Sequence, residues 1–209
     1  MSQREPFFNI REKTPFYLCV LLFVIHIIVI LPHSLGNLLF QYGTLFYANG
    51  QLSPPYTLLT HGFFHADFGH VIMNSVMIVI FGTVACEAAG QGWRKVLRFL
   101  SIFLGSVIIG GLAQWAWWML ARESGGAIVA SGGASGLFAA MAWATGGRSR
   151  LVQFGLIWAV IQVVIVFTEA VGIAPFSTAV AAHMGGYAGG ALLSVIMLKP
   201  SSVRFRLGR

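Results

Sequence analysis

The stretch ASGGASGLFAAMAWATGGRSR, residues 130–150, decides how the rest of the chain is read. It opens on small and polar residues, turns apolar, and ends on two arginines, Arg148 and Arg150. One reading takes its serines and glycines as packing residues, because small side chains let helix backbones approach inside a membrane. The other takes Ser135 as a hydroxyl presented at a helix tip. A helix from Ser135 to Arg148 rises about 20 Å, against a hydrocarbon core about 30 Å thick. With Arg148 at the inner surface, Ser135 lies roughly 10 Å below the outer one. The glycines before it are then expected to be irregular backbone inside the membrane. Such backbone is tolerated only where protein or a water-filled cavity surrounds it. Packing alone does not account for the cluster.

The surroundings fit a membrane. Of the 209 residues 57% are hydrophobic and 9% charged, and the mean hydropathy is +0.79. Soluble domains carry about 25% charged residues, so the chain reads as an all-α integral membrane protein. Apolar runs at 15–32, 69–89, 97–120, 135–147, 151–171 and 178–198 predict six spans, the fourth of them short. The net charge of +7 could suggest nucleic acid, but the basic residues follow the spans. Arg4, Arg11, Lys13, Arg94, Lys95, Arg98, Arg148, Arg150, Lys199, Arg204, Arg206 and Arg209 all fall on one side, and Arg122 alone on the other. The positive-inside rule makes that side, with both termini, cytoplasmic, so the surplus charge is a topology signal and no nucleic-acid partner is expected.

The organisation predicted is a short cytoplasmic tail over 1–14, one membrane domain over 15–199 and a basic cytoplasmic tail over 200–209. The first run has no small-residue cleavage pattern after it and reads as a retained helix. The segment from Pro32 to Tyr56 is too broken by Pro, Gly and Asn to span, yet carries Leu38, Leu39, Phe40, Leu45, Phe46 and Tyr47. It is expected to lie in the outer lipid interface as a membrane-embedded loop. Trp115, Trp117 and Trp118 suggest an aromatic belt. Cys19 and Cys86 read as buried thiols, and no metal or other cofactor is expected.

Applying the same helical ruler elsewhere gives a layer. His183 sits about 24 Å above an inner surface marked by Lys199, and Asn74 about 20 Å above one marked by Glu87, with His70 one turn farther out. Ser135, His183, Asn74 and His70 thus come from three spans and meet at one depth, where polar side chains are costly and mark function. A serine hydroxyl needs a base to take its proton, and histidine suits that task. Attack on a carbonyl makes an oxyanion, which the Asn74 amide, the His70 N–H and helix-terminal amides could receive. His70 and Asn74, at i and i+4, share one helix face. The glycines of HMGGYAGG, residues 183–190, also suit a small-residue seam through Gly186 and Gly190, which would draw the sixth span towards the fourth.

Together HGFFHADFGHVIMN (61–74), GASG (133–136) and AHMGGYAGG (182–190) resemble the rhomboid family of intramembrane serine proteases. They follow its H-x3-H-x4-H-x3-N, G-x-S-G and A-H-x-x-G-x-x-x-G patterns in order, over about Ser53 to Met197. The resemblance implies a six-helix bundle in which Ser135 is the nucleophile and His183 its base, without an acidic third member. His70 and Asn74 would stabilise the oxyanion beside the Ser135 backbone N–H. His61 and His65 would organise the first loop, with Gly133, Gly136, Gly186, Gly190 and Glu87 in supporting roles. Transmembrane protein segments would enter from the lipid bilayer past the fifth helix. Three positions depart from the pattern: Tyr56-Thr57 stands where many members have Trp-Arg, Ala139 where many bacterial members have an aromatic, and Ala88-Ala89 where basic residues follow Glu87.

Other classes leave different marks. A catalytically inactive rhomboid-like protein that binds transmembrane clients would usually lack the serine or the histidine. A metal site on His61, His65 and His70 lacks the glutamate of H-E-x-x-H. A transporter would be expected to carry an inverted repeat, and none is visible. The compact plan with cytoplasmic termini suggests a bacterial inner membrane. His26, outside every motif, reads as structural.

Overall fold

Long runs without charge satisfy their backbone in lipid by forming helices, and helices make up the body of this chain. The computed structural model describes residues 12–30, 33–172 and 179–200. In order these form α1 (Lys13–Ile30), α2 (His33–Gly43), β1 (Leu45–Ala48), β2 (Gln51–Leu52), α3 (Thr57–Thr60), α4 (Phe68–Ala88), α5 (Gly92–Ala121), β3 (Gly125–Ala127), α6 (Ala130–Ala170) and α7 (Val180–Met197). Among the described residues, α1, α4, α5, α6 and α7 are long and apolar enough to cross a membrane. The protein is a multi-pass membrane protein. The basic residues predicted at Arg4, Arg11, Arg204, Arg206 and Arg209 lie outside the described residues.

The helix of 41 residues, α6, is two arms. At Gly146 (φ −165°, ψ 16°) and Gly147 (φ 59°, ψ −146°) the backbone leaves helical geometry. Only glycine takes the second conformation without strain. The first arm begins at Ala130, not at Ser135, so Gly132 and Gly133 are helical instead of irregular. The reason lies in what they touch: a Cβ on Gly133 would overlap the Phe103 ring, and Gly132 faces α7. Irregular backbone is confined to the residues ahead of Ala130, where β3 leads into the helix.

The outer spanning helices bury one stripe and show apolar side chains elsewhere, as expected where lipid is the solvent, whereas the first arm of α6 is buried on every side from Ala130 to Leu137. On α1 the stripe is Pro15, Leu18, Cys19, Leu22 and His26, while Phe16, Tyr17, Leu21 and Ile28 face outward. On α4 it is Val71, Asn74, Ser75, Ile78, Gly82, Ala85 and Cys86. These pack with Phe99, Ile102, Phe103, Val107 and Leu137 into the main core. Both cysteines are buried free thiols.

Close approach defines the centre of the bundle. A Cβ on Gly186 would overlap the Gly132 carbonyl, and one on Gly190 the backbone of Gly136, so α7 lies directly against the first arm of α6. Gly136 in turn faces the Ser106 side chain of α5.

The connection between α1 and α4 carries more structure than the sequence suggested. Helix α2, with 11 residues, is too short to span, and it exposes Leu35, Leu38 and Tyr42. A hairpin follows, turned by Asn49 and Gly50 with φ of 52° and 77°, the signature of a type I′ turn. Strand β1 pairs with β2 and, antiparallel, with β3, Leu45 opposite Ala127. At the position of the Tyr56-Thr57 departure, buried hydroxyls anchor the loop: Ser53 Oγ and Thr57 Oγ1 are 2.8 Å apart, and Thr57 donates to the Pro54 carbonyl. Trp115 and Trp118 also serve this region. They pack inward with Leu45, Val129 and Ala182, and of the three tryptophans only Trp117 faces outward. The belt is therefore one residue, because positions i and i+3 share the face that the loop covers.

Candidate active site

The cavity that matters opens where α4, α6 and α7 meet the loops. It encloses about 410 Å³, and Asp67, His70, Met73, Val129, Ser131 and His183 are among the residues lining it. Ser131 lies in the first turn of α6, and its Oγ stands 2.7 Å from His183 Nε2. The other ring nitrogen, His183 Nδ1, is 2.8 Å from Gln162 Oε1 on the second arm of α6. With that oxygen as acceptor, Nδ1 carries the proton and Nε2 accepts from the Ser131 hydroxyl. A serine paired with the unprotonated nitrogen of an imidazole is an arrangement able to generate a nucleophile.

No hydrogen bond joins Ser135 to His183 in this structure, the ring's Nε2 being engaged by Ser131. Ser135 is fully buried, one turn further into α6, and its Oγ donates to the Ser131 carbonyl at 2.7 Å. That back-bond to the i−4 carbonyl is what a helical serine makes when nothing better is in reach. Ala-Ser-Gly occurs twice, at 130–132 and 134–136, and only the second copy has a glycine ahead of it to complete G-x-S-G. The two hydroxyls differ in depth by one turn, about 6 Å, inside the error of a ruler that ignores tilt. A signal was nevertheless present. A serine in a first turn has no carbonyl four residues back within its helix, whereas one a turn later does.

The other expected residues separate into a cavity wall and a scaffold. His70 lines the cavity, and its Nδ1 receives the Ala66 N–H at 3.4 Å, leaving Nε2 to donate. Asp67 caps α4 and accepts from the His70 backbone N–H at 2.8 Å, fixing the turn that carries the ring. Asn74, on the same face of α4, is fully buried, and neither end of its amide has a partner among the described residues. It lies a turn deeper than His70, as the helical ruler had it.

His61 is buried in the turn His61–Phe63, and its carbonyl accepts the Val129 N–H at 3.1 Å, two residues before Ser131. His65 stacks edge-on between His70 and His26, at centroid distances of 5.1 and 6.3 Å. Burial pushes His61 down to about 4, and burial, with His70 and His26 beside it, pushes His65 down to about 3. Both rings are therefore neutral at physiological pH. Glu87 is exposed at the far end of α4, away from the cavity.

Two residues of this site were not singled out in the sequence. One is Ser131. The other is Gln162, the only buried residue on the second arm of α6. An amide in a run as apolar as GLIWAVIQVVIVF is a signal in its own right. Ala139 is buried, and Phe138 stacks with Phe154 and meets Tyr187 and Trp158 edge-on. Trp158 lies 6.1 Å from the His183 ring.

The fold and site define a polytopic membrane protein with a serine–histidine pair on the wall of a cavity. Residues 53–200 match the Rhomboid domain family, and the chain belongs to that family. No curated protein matches the chain. The family comprises intramembrane serine proteases and inactive homologues, acting on transmembrane proteins.

Proposed function

We propose that this protein is an active intramembrane serine endopeptidase, with Ser131 as nucleophile and His183 as general base. The observation that carries this reading is the 2.7 Å contact between Ser131 Oγ and His183 Nε2 on the wall of the cavity. As Ser131 Oγ bonds to the carbonyl carbon of a substrate peptide, its proton passes to His183 Nε2. His183 then gives that proton to the leaving amine as the C–N bond breaks, and water hydrolyses the acyl-enzyme by the reverse relay.

The oxyanion would be received by the His70 Nε2–H on the cavity wall and by the Ala130 and Ser131 amides at the start of α6, with the Asn74 amide one turn below. The helix N-terminus adds positive potential at the same point. Ser135, one residue beyond the Gly133-Ala134 pair, is a packing residue in this scheme.

The two arms of α6 count as the fourth and fifth of six spans, within a domain over 15–199. Lys95 pairs with Glu12, and Gly147 lies beside Pro200, so the basic ends of the helices gather at one end of the bundle. That end is the cytoplasmic one by the positive-inside rule, with both tails, and the cavity opens towards the other face of a bacterial inner membrane. The exposed apolar face of α2 suits a loop lying in the outer interface.

The test is labelling of the purified protein by a serine-reactive fluorophosphonate, alongside cleavage of a transmembrane substrate. Wild type and Ser135→Ala should label and cleave, while Ser131→Ala and His183→Ala do neither. Labelling that persists in Ser131→Ala and vanishes in Ser135→Ala would overturn the assignment. A wild type that neither labels nor cleaves would mark the protein as a client-binding homologue.

A further inference from the structure

We infer that Gln162 is a positioning residue for the base: a neutral third member that sets the tautomer and orientation of His183. The inference rests on the Ser131–His183 reading and deepens it. The second arm of α6 faces outward with Val152, Leu156, Val160, Val163 and Phe167. On this arm one side chain alone is buried, and it is polar. Gln162 is 2% exposed, its Oε1 lies 2.8 Å from His183 Nδ1, and its Nε2 has no partner among the described residues. A polar group placed so, with half its amide unpaired, costs desolvation that a leucine would avoid. Its return is the one hydrogen bond it makes.

That bond has a defined chemical consequence. A neutral imidazole carries one proton, and an acceptor at Nδ1 keeps it there, leaving Nε2 as the lone-pair nitrogen facing Ser131. When His183 takes the serine proton, the resulting imidazolium has its positive charge beside an amide oxygen, which stabilises it. A carboxylate would do this more strongly. However, an isolated carboxylate on a lipid-facing helix would itself be costly to hold ionised. The amide supplies the acceptor without the charge.

Holding the arm in place is a different task, and other contacts perform it. Tyr187 Oη donates to the Leu151 carbonyl at 2.7 Å, and Phe138 stacks with Phe154. Because Gln162 reaches His183 from the second arm, the base is correctly oriented only while that arm lies against α7. Displacement of the arm and misorientation of the base are therefore coupled through one hydrogen bond.

The experiment compares Gln162→Leu and Gln162→Glu with wild type for kcat and KM on a transmembrane substrate, fluorophosphonate labelling rate against pH, and melting temperature. Gln162→Leu should lower kcat and the labelling rate about tenfold or more, with KM nearly unchanged. Gln162→Glu should recover most of the rate, with the acid limb of its rate profile moved to higher pH. Wild-type kcat and pH profile in Gln162→Leu would overturn the inference. If Gln162→Leu melts early, Gln162→Glu decides: a stable but slow protein with an unmoved profile overturns it, and a restored rate with a moved profile supports it. Labelling that survives in Ser131→Ala would instead refute the underlying dyad, so the two failures are distinct.

Discussion

The seam between α6 and α7 makes the reaction sensitive to a single methyl group. Gly186 stands one turn after His183, and the atom a Cβ there would overlap is the carbonyl oxygen of Gly132, the residue after Ser131. The two side chains proposed to react are thus carried by the very segments that touch. Gly186→Ala places a methyl well inside van der Waals distance of backbone that cannot rotate away. Restoring a normal carbon contact of about 3.5 Å requires the helices to separate by about 1 Å. The Ser131–His183 contact of 2.7 Å would then stretch to about 3.7 Å, beyond hydrogen-bond range. A misplacement of that size costs about 100-fold in rate. Gly189→Ala is the control on the same helix. Its Cβ would meet only the Ile109 side chain, at 2.9 to 3.2 Å, and pressure on α5 leaves the pair intact. Initial rates of fluorophosphonate labelling, with melting curves to confirm folding, separate the two. A folded Gly186→Ala protein that labels at the wild-type rate would refute the claim that this seam holds the pair in register.

Two further outcomes follow from the loop and its histidines. Asp67→Ala removes the cap of α4 and should lower stability by about 1 kcal/mol, with a parallel loss of cleavage as the His70 turn frays; an unchanged melting temperature would count against it. His61 and His65 are held at about 4 and about 3, below the ordinary 6.5. Their contribution to stability is therefore complete above pH 6.5 and is lost as pH falls towards 4, because the unfolded chain binds protons that the buried rings refuse. Thermal midpoints should drop steadily between pH 6.5 and 4.5, and a flat profile over that window would remove these rings from the account.

What was legible in the sequence was whatever membrane burial makes conspicuous. Charge is so scarce that the helices announce themselves, and His70, Asn74 and His183 stand out because polar groups at depth need a reason. The short run ending at Arg148 likewise pointed to the break that Gly146 and Gly147 make. The hairpin was less visible: four- and two-residue strands carry too little alternation to register, although Asn49-Gly50 is a strong turn signal. The orientation of Trp115 and Trp118 depended on the loop folding over them, which no local pattern encodes. Gln162 was passed over because no motif contains it; only its partner across the bundle gives it meaning.

The choice between the two serines turns on where a helix begins. Inside a helix every hydroxyl has a carbonyl four residues earlier within reach, and Ser135 commits its proton to one. Such a hydroxyl must break a hydrogen bond before it can donate elsewhere, and its approach is blocked by the turn above it. Ser131 has irregular backbone behind it, where Val129 is drawn off by the His61 carbonyl, so its proton is free for His183. Of the first-turn amides, the Gly132 N–H is held by the Val129 carbonyl at 3.2 Å, which leaves those of Ala130 and Ser131 without a helical acceptor. In the proposed scheme a nucleophile, its base contact and its oxyanion donors require the same thing, a helix start on a cavity, and Ser131 stands at one.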